Sequence, residues 1–253
     1  MKEVTMKHLY GKFVWFEHMS NDIPKAQAFY EALFGWQTES MPAGAQTYRM
    51  IKNGDQGIGG LRSVMPGVSN GWISYVSVAD VDATYAAALK AGAKGLMSPE
   101  DFGPMGRGAT IADPGGALLS LWKGNQDDRA DVDKTAVGDW HWNELWATDD
   151  KAALAFYEGV LGYTHESMDM GPQGTYHVLK TGDKMRGGLV AQPKGPPIWL
   201  PYVAVDNCDT TTAKALELGA ESVVMPPTDI ANVGRFSIVL DPLGAAIAFI
   251  KPA

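Results

Sequence analysis

The sequence contains one cysteine, Cys208, among 253 residues. A single thiol cannot form an intrachain disulfide, and it cannot build a thiolate metal cluster. Proteins without disulfides are common in reducing compartments, so we expect a cytoplasmic protein. Cys208 lies at the start of a predicted helix, where the residue type favours a small buried hydrophobic side chain over a reactive nucleophile.

Long apolar segments are also missing. No stretch approaches the roughly 20 consecutive apolar residues that a membrane helix needs. Residues 1–11 are charged and lack the apolar core of a secretory signal. The net charge of −8 argues against nucleic acid as the main partner, because phosphate backbones attract basic surfaces. We therefore predict a soluble protein that binds neither membranes nor nucleic acid.

Common cofactor signatures are absent as well. Neither GxxxxGK[ST] nor GxGxxG stands between a predicted strand and a helix, so phosphate-loop and dinucleotide-binding motifs are not indicated. The five histidines show no HxH or HxxxH spacing, and no two of them occupy repeat-related positions. These patterns predict no cofactor.

What the sequence does contain is an internal repeat. A predicted helix from Asp22 to Gly35 recurs from Asp149 to Gly162, with Phe-Tyr at the same place in both copies. An aspartate can cap the first N–H groups of a helix, and a glycine can take the left-handed conformation that ends one. The copies lie 127 positions apart, about half the chain, and so indicate a duplicated unit.

The repeat continues through both halves of the chain. Each half shows the order strand, helix and several strands twice, and after a one-residue insertion the offset between the halves becomes 128. The polar segment 125–138 has no hydrophobic period, which is typical of a linker. The sequence therefore predicts a first module at residues 8–124 and a second module at residues 139–253.

Each half resembles a module of the vicinal oxygen chelate superfamily, which includes glyoxalase I, bleomycin-resistance proteins and extradiol dioxygenases. The matching segments are 22–36, 72–82 and 106–116, with second copies at 149–163, 199–209 and 234–244. The tandem arrangement and segment 142–145 look most like the glyoxalase-like antigens of mycobacteria. The resemblance implies an α+β fold of tandem paired βαβββ motifs, in which four motifs form two cup-shaped sheets.

The resemblance also implies where a metal would bind. Active members of the superfamily hold a divalent ion with His, Gln and Glu side chains. The corresponding positions here are Trp15, Trp72 and Ser120 in the first half, and Trp142, Trp199 and Ala248 in the second. Indole and methyl groups cannot coordinate a metal, and such a site needs about three protein ligands. We expect no metal at these positions, although a shift of one residue would bring His141 or Ser74 toward the site.

The four tryptophans at these positions allow two interpretations. They can fill the cups as core residues. Alternatively, they can line a pocket for a planar or cationic molecule, because indole stacks on flat rings and attracts cations. The repeat-related Tyr48 and Tyr176 either line the same pocket or pack beneath the helices.

Two glutamates, Glu17 and Glu144, each follow a ligand-position tryptophan by two residues. Strand alternation places each glutamate on the face of its tryptophan. A carboxylate in an aromatic cavity is costly unless it is paired or binds something, and it is then a candidate general base. In the alternative interpretation, each glutamate reaches the rim or pairs with Arg107 or Arg235, which occupy equivalent positions near the module ends.

These features favour a small-molecule-binding protein similar to the bleomycin-resistance proteins, with an aromatic or cationic ligand. The alternative is a glyoxalase-, dioxygenase- or hydratase-type enzyme that uses Glu144 or Glu17 as a general base, with or without a non-standard divalent metal site. A third interpretation is an interaction protein whose cups are filled. Because related single-module proteins dimerise, we expect the two modules to pair within one chain, which favours a monomer.

Overall fold

The computed structural model describes residues 7–43, 46–171, 174–192 and 194–253. Its first half contains β1 (Phe13–Ser20), α1 (Ile23–Phe34), β2 (Gln37–Ala43), β3 (Gln46–Asn53), β4 (Gln56–Ser63), β5 (Gly71–Ser77), α2 (Val81–Lys90), β6 (Lys94–Asp101), β7 (Gly106–Ala112) and β8 (Leu118–Gly124). Its second half contains β9 (Trp140–Ala147), α3 (Asp150–Leu161), β10 (Thr164–Asp169), β11 (Thr175–Thr181), β12 (Lys184–Ala191), β13 (Ile198–Ala204), α4 (Cys208–Glu217), β14 (Ser222–Ile230), β15 (Gly234–Leu240) and β16 (Ala246–Pro252).

The strands form two eight-stranded mixed sheets, one from each half of the sequence. Their strand orders are β2-β3-β4-β1-β5-β8-β7-β6 and β10-β11-β12-β9-β13-β16-β15-β14. In the first sheet β1 is parallel to β4, while β2 and β3 are antiparallel. The two orders are the same once the repeat is applied. The predicted fold class, tandem paired βαβββ motifs, is therefore confirmed.

The predicted repeated helices are confirmed as α1 and α3, together with their ends. Asp22 accepts a hydrogen bond from the Lys25 backbone N–H at 3.1 Å, and Asp149 caps α3 in the same way. Gly35 and Gly162 adopt left-handed conformations with φ of 72° and 69°. These ends agree with the sequence because capping depends on residues within one helical turn. No helix among the described residues has the length and apolar character needed to cross a membrane.

Part of the polar segment predicted as a linker is held by hydrogen bonds. Asp128 accepts from the Leu9 backbone N–H and from the Ser77 hydroxyl, each at 2.6 Å. Asp131 lies 3.0 Å from the Lys12 ammonium nitrogen. Charged residues without a hydrophobic period are thus held here by specific hydrogen bonds and ion pairs.

The chain folds into two compact units. The first comprises residues 1–14, 74–131 and 143–199, and the second comprises residues 15–73, 132–142 and 200–253. Each unit thus combines one βαβββ motif from each half of the sequence. The predicted modules at 8–124 and 139–253 follow the two sheets, whereas the compact units combine motifs across the halves.

In the second unit, a buried aspartate near the end of the chain binds the first helix. One oxygen of Asp241 accepts from the backbone N–H groups of Leu243 and Ala245 at 2.8 and 2.9 Å, which fixes the Asp-Pro-x-Gly turn. The other oxygen accepts from the Tyr30 hydroxyl at 2.8 Å. The Trp72 indole N–H in turn donates to the Tyr30 oxygen at 2.9 Å.

The first unit repeats this arrangement. Asp113 accepts from the backbone N–H groups of Gly116 and Ala117, both at 2.8 Å, and from the Tyr157 hydroxyl at 2.8 Å. The Trp199 indole N–H donates to Tyr157 at 2.9 Å. In both units, therefore, the turn aspartate joins the closing motif of one half to the Phe-Tyr helix of the other half.

The two aspartates differ in one neighbour. In the second unit, the fully buried His18 imidazole lies 2.7 Å from Asp241, whereas the repeat-related residue in the first unit is Leu145. Burial by itself would raise the pKa of Asp241, but the hydrogen bond and charge of His18 outweigh it and lower that pKa. Burial raises the pKa of Asp113, because Tyr157 and the turn N–H groups offset burial only in part.

We expect the two aspartates to contribute pH dependence of opposite sign. The folded pKa of Asp241 lies below its ordinary value of 3.8, so its stabilising effect is present above that value and is lost as the pH falls through the folded pKa. The folded pKa of Asp113 is raised, so stability instead decreases as the pH rises through 3.8 to the folded value. Urea unfolding between about pH 3 and pH 7 gives the free energy of unfolding as a function of pH. Asp241→Asn and Asp113→Asn should change the slope of that dependence in opposite directions. Slopes that change in the same direction would contradict this assignment.

Candidate ligand-binding face

Strand β1 divides its side chains between two faces. His18 projects toward α1, where its ring contacts Tyr30 with a centroid distance of 5.4 Å. By alternation, Trp15 and Glu17 project from the opposite face. Glu17 is only 5% exposed, so its carboxylate is buried on this second face as the sequence predicts.

Polar contacts organise the Glu17 face within the second unit. The Arg62 guanidinium lies 3.4 Å from the Glu17 carboxylate. The Trp15 indole N–H donates to the Tyr48 hydroxyl at 2.9 Å. A side chain on Gly60 would overlap Tyr48, so the glycine leaves room for the ring to lie over the sheet. The tyrosine whose face the sequence left open thus shares the face of Glu17.

The second half places a more apolar set of side chains at the same place. Cross-strand partners run from β10 to β9 in the order Met168, Tyr176, Val190 and Trp146, and we call these four residues the aromatic row. Registered partners project from the same face of a sheet. Met168 is 47% exposed, and the other three are half-buried. The row is therefore partly accessible.

Glu144 lies beside the aromatic row on the same face. It precedes Trp146 by two residues on β9 and is 8% exposed. The Trp146 indole N–H donates to a Glu144 carboxylate oxygen at 2.9 Å, which orients the carboxylate. Trp142 is half-buried and, by alternation, shares this face. A carboxylate is thus held next to a strip of aromatic and thioether side chains.

The two halves differ most at two positions of this face. In the first half Met19 is opposite Arg62, and in the second half Trp146 is opposite Val190. The first half therefore has a guanidinium beside its glutamate, where the second half has an isopropyl group. The duplicated faces consequently differ in charge and in aromatic content.

Comparisons with known proteins agree with this fold. A family model described as "Glyoxalase/Bleomycin resistance protein/Dioxygenase superfamily" matches residues 12–121. The Mycobacterium tuberculosis protein CFP32, which has a provisional glyoxylase name, is 38% identical over 247 residues, and the match covers 94% of each chain. The chain belongs to the glyoxalase/bleomycin resistance/dioxygenase superfamily.

Other proteins are similar to this chain in sequence or in fold. The Streptomyces peucetius anthracycline biosynthesis protein DnrV is 31% identical over 265 residues, covering 95% of this chain and 93% of DnrV. The Mn(II)-bound glyoxalase of Novosphingobium aromaticivorans has a TM-score of 0.66 at 18% identity, covering 96% of this chain and 82% of that one. Homoprotocatechuate 2,3-dioxygenase from Arthrobacter globiformis has a TM-score of 0.68 at 15% identity, and the match covers 98% of this chain and 82% of the dioxygenase. At these identities the two solved structures show the fold alone.

The side chains at the superfamily's metal positions do not fit a metal. Ser120 is buried with its hydroxyl 3.0 Å from the Thr110 hydroxyl, and Ala248 is fully buried. Across the part of the chain that the structure describes, no three His, Cys, Asp or Glu side chains are grouped so that they could hold a metal ion. Sites of this kind need about three such ligands. The donor set on these faces is therefore unsuited to the metal chemistry of the superfamily's active members.

Trp72 and Trp199 lie elsewhere than the sequence-based count suggested. Both are buried, and their indole N–H groups donate to the helix tyrosines as described above. Tyr75, which is registered with Ser120, is three residues from Trp72 and so lies on the other face of β5. These two tryptophans are buried on the helix side of their sheets, so they neither line a pocket in the cups nor fill the cups.

The two predicted arginines bind aspartates instead of glutamates. Arg107 donates to Asp82 at 2.7 and 2.8 Å and to Asp101 at 3.0 Å, on an exposed surface. Arg235 makes the repeat-related contacts in the second half. The hydrogen bonds from Arg107 lower the pKa of Asp82. The cation that does lie beside Glu17 is Arg62. The sequence gives no signal for this pair, because no repeat-related arginine marks it.

Proposed function

We propose that this superfamily member binds a planar small molecule on the aromatic row of its second half, without a metal ion. The register of four adjacent strands is the observation on which this rests, because it aligns Met168, Tyr176, Val190 and Trp146 on one face. Aromatic rings and thioethers both form favourable contacts with flat conjugated ligands.

The ligand class follows from the chemistry of this face. A flexible Met168 can adapt to ligands of different outline, while Trp146 and Tyr176 offer rigid rings. Glu144 would bind an ammonium or hydroxyl group at the end of the ligand, since a charged acceptor strengthens hydrogen bonds. The names of DnrV and DauV refer to anthracyclines, which are polycyclic aromatic compounds, and this supports a planar ligand.

The proposal needs neither a cofactor nor a macromolecular partner. The unsuitable donor set at the superfamily's metal positions supports recognition by stacking and hydrogen bonding. Both copies of the repeat lie in one chain, so we also propose a monomer that works without nucleic acid or membranes. Gel filtration with light scattering would test the monomer directly.

Glu144→Gln should weaken binding of an amine-bearing planar ligand about 10- to 100-fold, because a hydrogen bond to a charged group contributes about 1.5–3 kcal/mol. The probe is doxorubicin, followed by its fluorescence in EDTA-treated protein. Its aglycone lacks the ammonium group and should bind both proteins alike. Glu17→Gln is the matched control and should change the affinity less than twofold.

Three results would contradict this proposal. The first is binding that appears only after a divalent metal is added. The second is an equal loss with Glu17→Gln and Glu144→Gln. The third is unchanged affinity when Tyr176→Ala and Trp146→Ala remove the rings from a protein that still melts cooperatively.

An enzymatic function is the second candidate, and the oriented carboxylate of Glu144 favours it. A buried glutamate held by an indole N–H at 2.9 Å has the fixed position that a general base needs. In this case the protein would convert a glyoxalase-type substrate, such as the hemithioacetal of methylglyoxal and glutathione. Glu144→Gln would then abolish turnover while the fold stays intact, and the absence of any turnover by the wild type would exclude this candidate.

A further inference from the structure

We infer that Ser167, His177 and Asp150 form a hydrolytic site on the helix side of the second sheet, with Ser167 as the nucleophile toward activated carboxylic esters. All three residues belong to the first compact unit. Ser167 directly precedes Met168 on β10, so its side chain projects from the face opposite the aromatic row. The inference therefore stands independently of the proposed ligand.

Two hydrogen bonds link the three side chains. The Ser167 hydroxyl oxygen lies 2.8 Å from Nδ1 of His177, its cross-strand partner on β11. Nε2 of the same imidazole lies 3.2 Å from a carboxylate oxygen of Asp150, the first residue of α3. A hydroxyl within hydrogen-bond reach of a base that a third group orients is the signature of an activated nucleophile.

The carboxylate decides which imidazole nitrogen is the base. An ionised Asp150 only accepts hydrogen bonds, so Nε2 of His177 carries the proton and donates it. In the neutral imidazole, Nδ1 then has a free lone pair and accepts from the Ser167 hydroxyl. These are the roles of a serine–histidine–aspartate triad with the two nitrogens exchanged, and such triads are recognised by geometry and roles rather than by sequence order.

Burial separates the base from the nucleophile. The His177 residue is only 6% exposed, whereas Ser167 lies on the surface. The imidazole is therefore held in one position by its surroundings, while the hydroxyl in front of it is open to a substrate.

The first half keeps the serine but not the groups that activate it. Ser40 is exposed on β2 and lies opposite Arg49 on β3, as Ser167 lies opposite His177. The first residue of α1 is Ile23, where α3 has an aspartate. A guanidinium cannot act as a base, and an aliphatic side chain cannot orient one. Only the second half thus has the relay among these repeat-related positions.

The strand edge supplies a donor for the oxyanion that ester cleavage creates. The Met170 N–H donates to the Gly174 carbonyl at 2.8 Å, in line with the β10–β11 register. Backbone groups of successive residues point to alternate edges of a strand, so the Ser167 N–H points away from β11. Because β10 is the outermost strand of its sheet, this N–H faces the open edge beside its own hydroxyl.

The reaction needs only water as a co-reactant. Nδ1 of His177 takes the Ser167 proton while Oγ bonds to the ester carbonyl carbon, whose oxygen becomes the oxyanion. Collapse of this intermediate breaks the bond to the leaving alcohol, which receives the proton from the imidazolium. Water then attacks the acyl-serine with the same base and releases the carboxylic acid.

Charge and exposure define the substrate class. Asp169 lies two residues along the same face of β10, and Asp150 lies behind the base. Glu158 binds the neighbouring His165 at 2.6 Å. These carboxylates repel anionic acyl groups. Since Ser167 is exposed, little binding energy is available and the leaving group must be good. The substrate is therefore a neutral ester of a short acyl group and an acidic alcohol.

The test is the reaction of the full-length protein with p-nitrophenyl acetate, followed by release of p-nitrophenolate and by peptide mass spectrometry. We expect turnover and an acetyl group on Ser167. Ser167→Ala should remove both, whereas the matched control Ser40→Ala should leave both unchanged. His177→Gln should lower the acylation rate about 100-fold, because general-base catalysis contributes about 10²–10⁴-fold.

Asp150→Asn separates an orienting role from a structural one. An amide can accept at the same place, but it no longer holds the imidazole in the required tautomer, so kcat should fall at least about tenfold with KM unchanged. A carboxylate that only stabilises the fold would lower the melting temperature and leave kcat of the folded protein unchanged. This variant and Ser167→Ala decide the matter if His177→Gln fails to fold.

Three results would overturn the assignment. One is acetylation of His165 or of lysines in place of Ser167, since the His165 ring centroid is only 5.5 Å from that of His177. Another is turnover that persists in Ser167→Ala. The third is an unchanged kcat in Asp150→Asn.

Discussion

Asp241→Ala is expected to lower the free energy of unfolding by about 3–5 kcal/mol, among the largest effects of a single substitution in this chain. The change removes the acceptor of the Tyr30 hydroxyl and of two turn N–H groups. It also leaves the fully buried His18 imidazole without its carboxylate. Buried polar groups that lose their partner retain their full desolvation cost.

Asp113→Ala is the matched comparison for this substitution. Asp113 makes the same contacts to its turn and to Tyr157, but the place of His18 is taken by Leu145. Its loss should therefore cost less, about 2–3 kcal/mol. Chemical denaturation followed by tryptophan fluorescence measures the free energy of unfolding of both variants. Equal losses would show that the buried imidazole contributes nothing to the difference.

Gly234→Ala should destabilise the protein by about 3–5 kcal/mol. Gly234 has φ of 140°, a conformation in which other residues are strained. A Cβ there would also overlap the Lys251 carbonyl oxygen and lie 3.0 Å from the Pro252 Cα. Backbone atoms in a sheet cannot move aside as a flexible side chain can. Backbone strain and steric overlap therefore both contribute to the destabilisation at this position.

Two other glycines make this prediction specific. The repeat-related Gly106 has φ of 151°, and a Cβ on it would overlap the Lys123 carbonyl, so Gly106→Ala should cost a similar amount. Gly182 also has a positive φ, 57°, but nothing lies within 4 Å of its Cβ position. Gly182→Ala should then cost only about 1 kcal/mol. Urea unfolding that gave all three variants the same stability would refute the overlap argument.

The repeat and its helices could be predicted from sequence because their signals are local. Asp22 and Gly35 act within one turn of the helix that they begin and end, and Asp149 and Gly162 repeat them. An offset of 127, or of 128 after a one-residue insertion, then related each element of the first half to one of the second. The shared face of Trp15 and Glu17 followed in the same way, since it needs only the two-residue alternation of one strand.

The faces of other side chains could not be predicted because they depend on strand register. An error of one residue moves a side chain to the opposite face of a sheet. Trp72 was therefore expected inside a cup, either lining a pocket or filling it, but it lies beneath α1 and donates a hydrogen bond to Tyr30. Tyr48 and Tyr176 could not be assigned to a face, and the β3–β4 and β11–β12 pairings both contain a register shift. Arg62 reaches Glu17 only because β4 pairs with β1.

By itself, the sequence determined the duplication and the helix ends. These features depend on residue spacing and on side-chain chemistry, and both can be read directly from the sequence. Tertiary structure alone decided that Asp241 binds Tyr30, 211 positions away, and that four strands align the aromatic row. Such contacts have no local signal, because they exist only after distant strands have paired and buried their polar groups together.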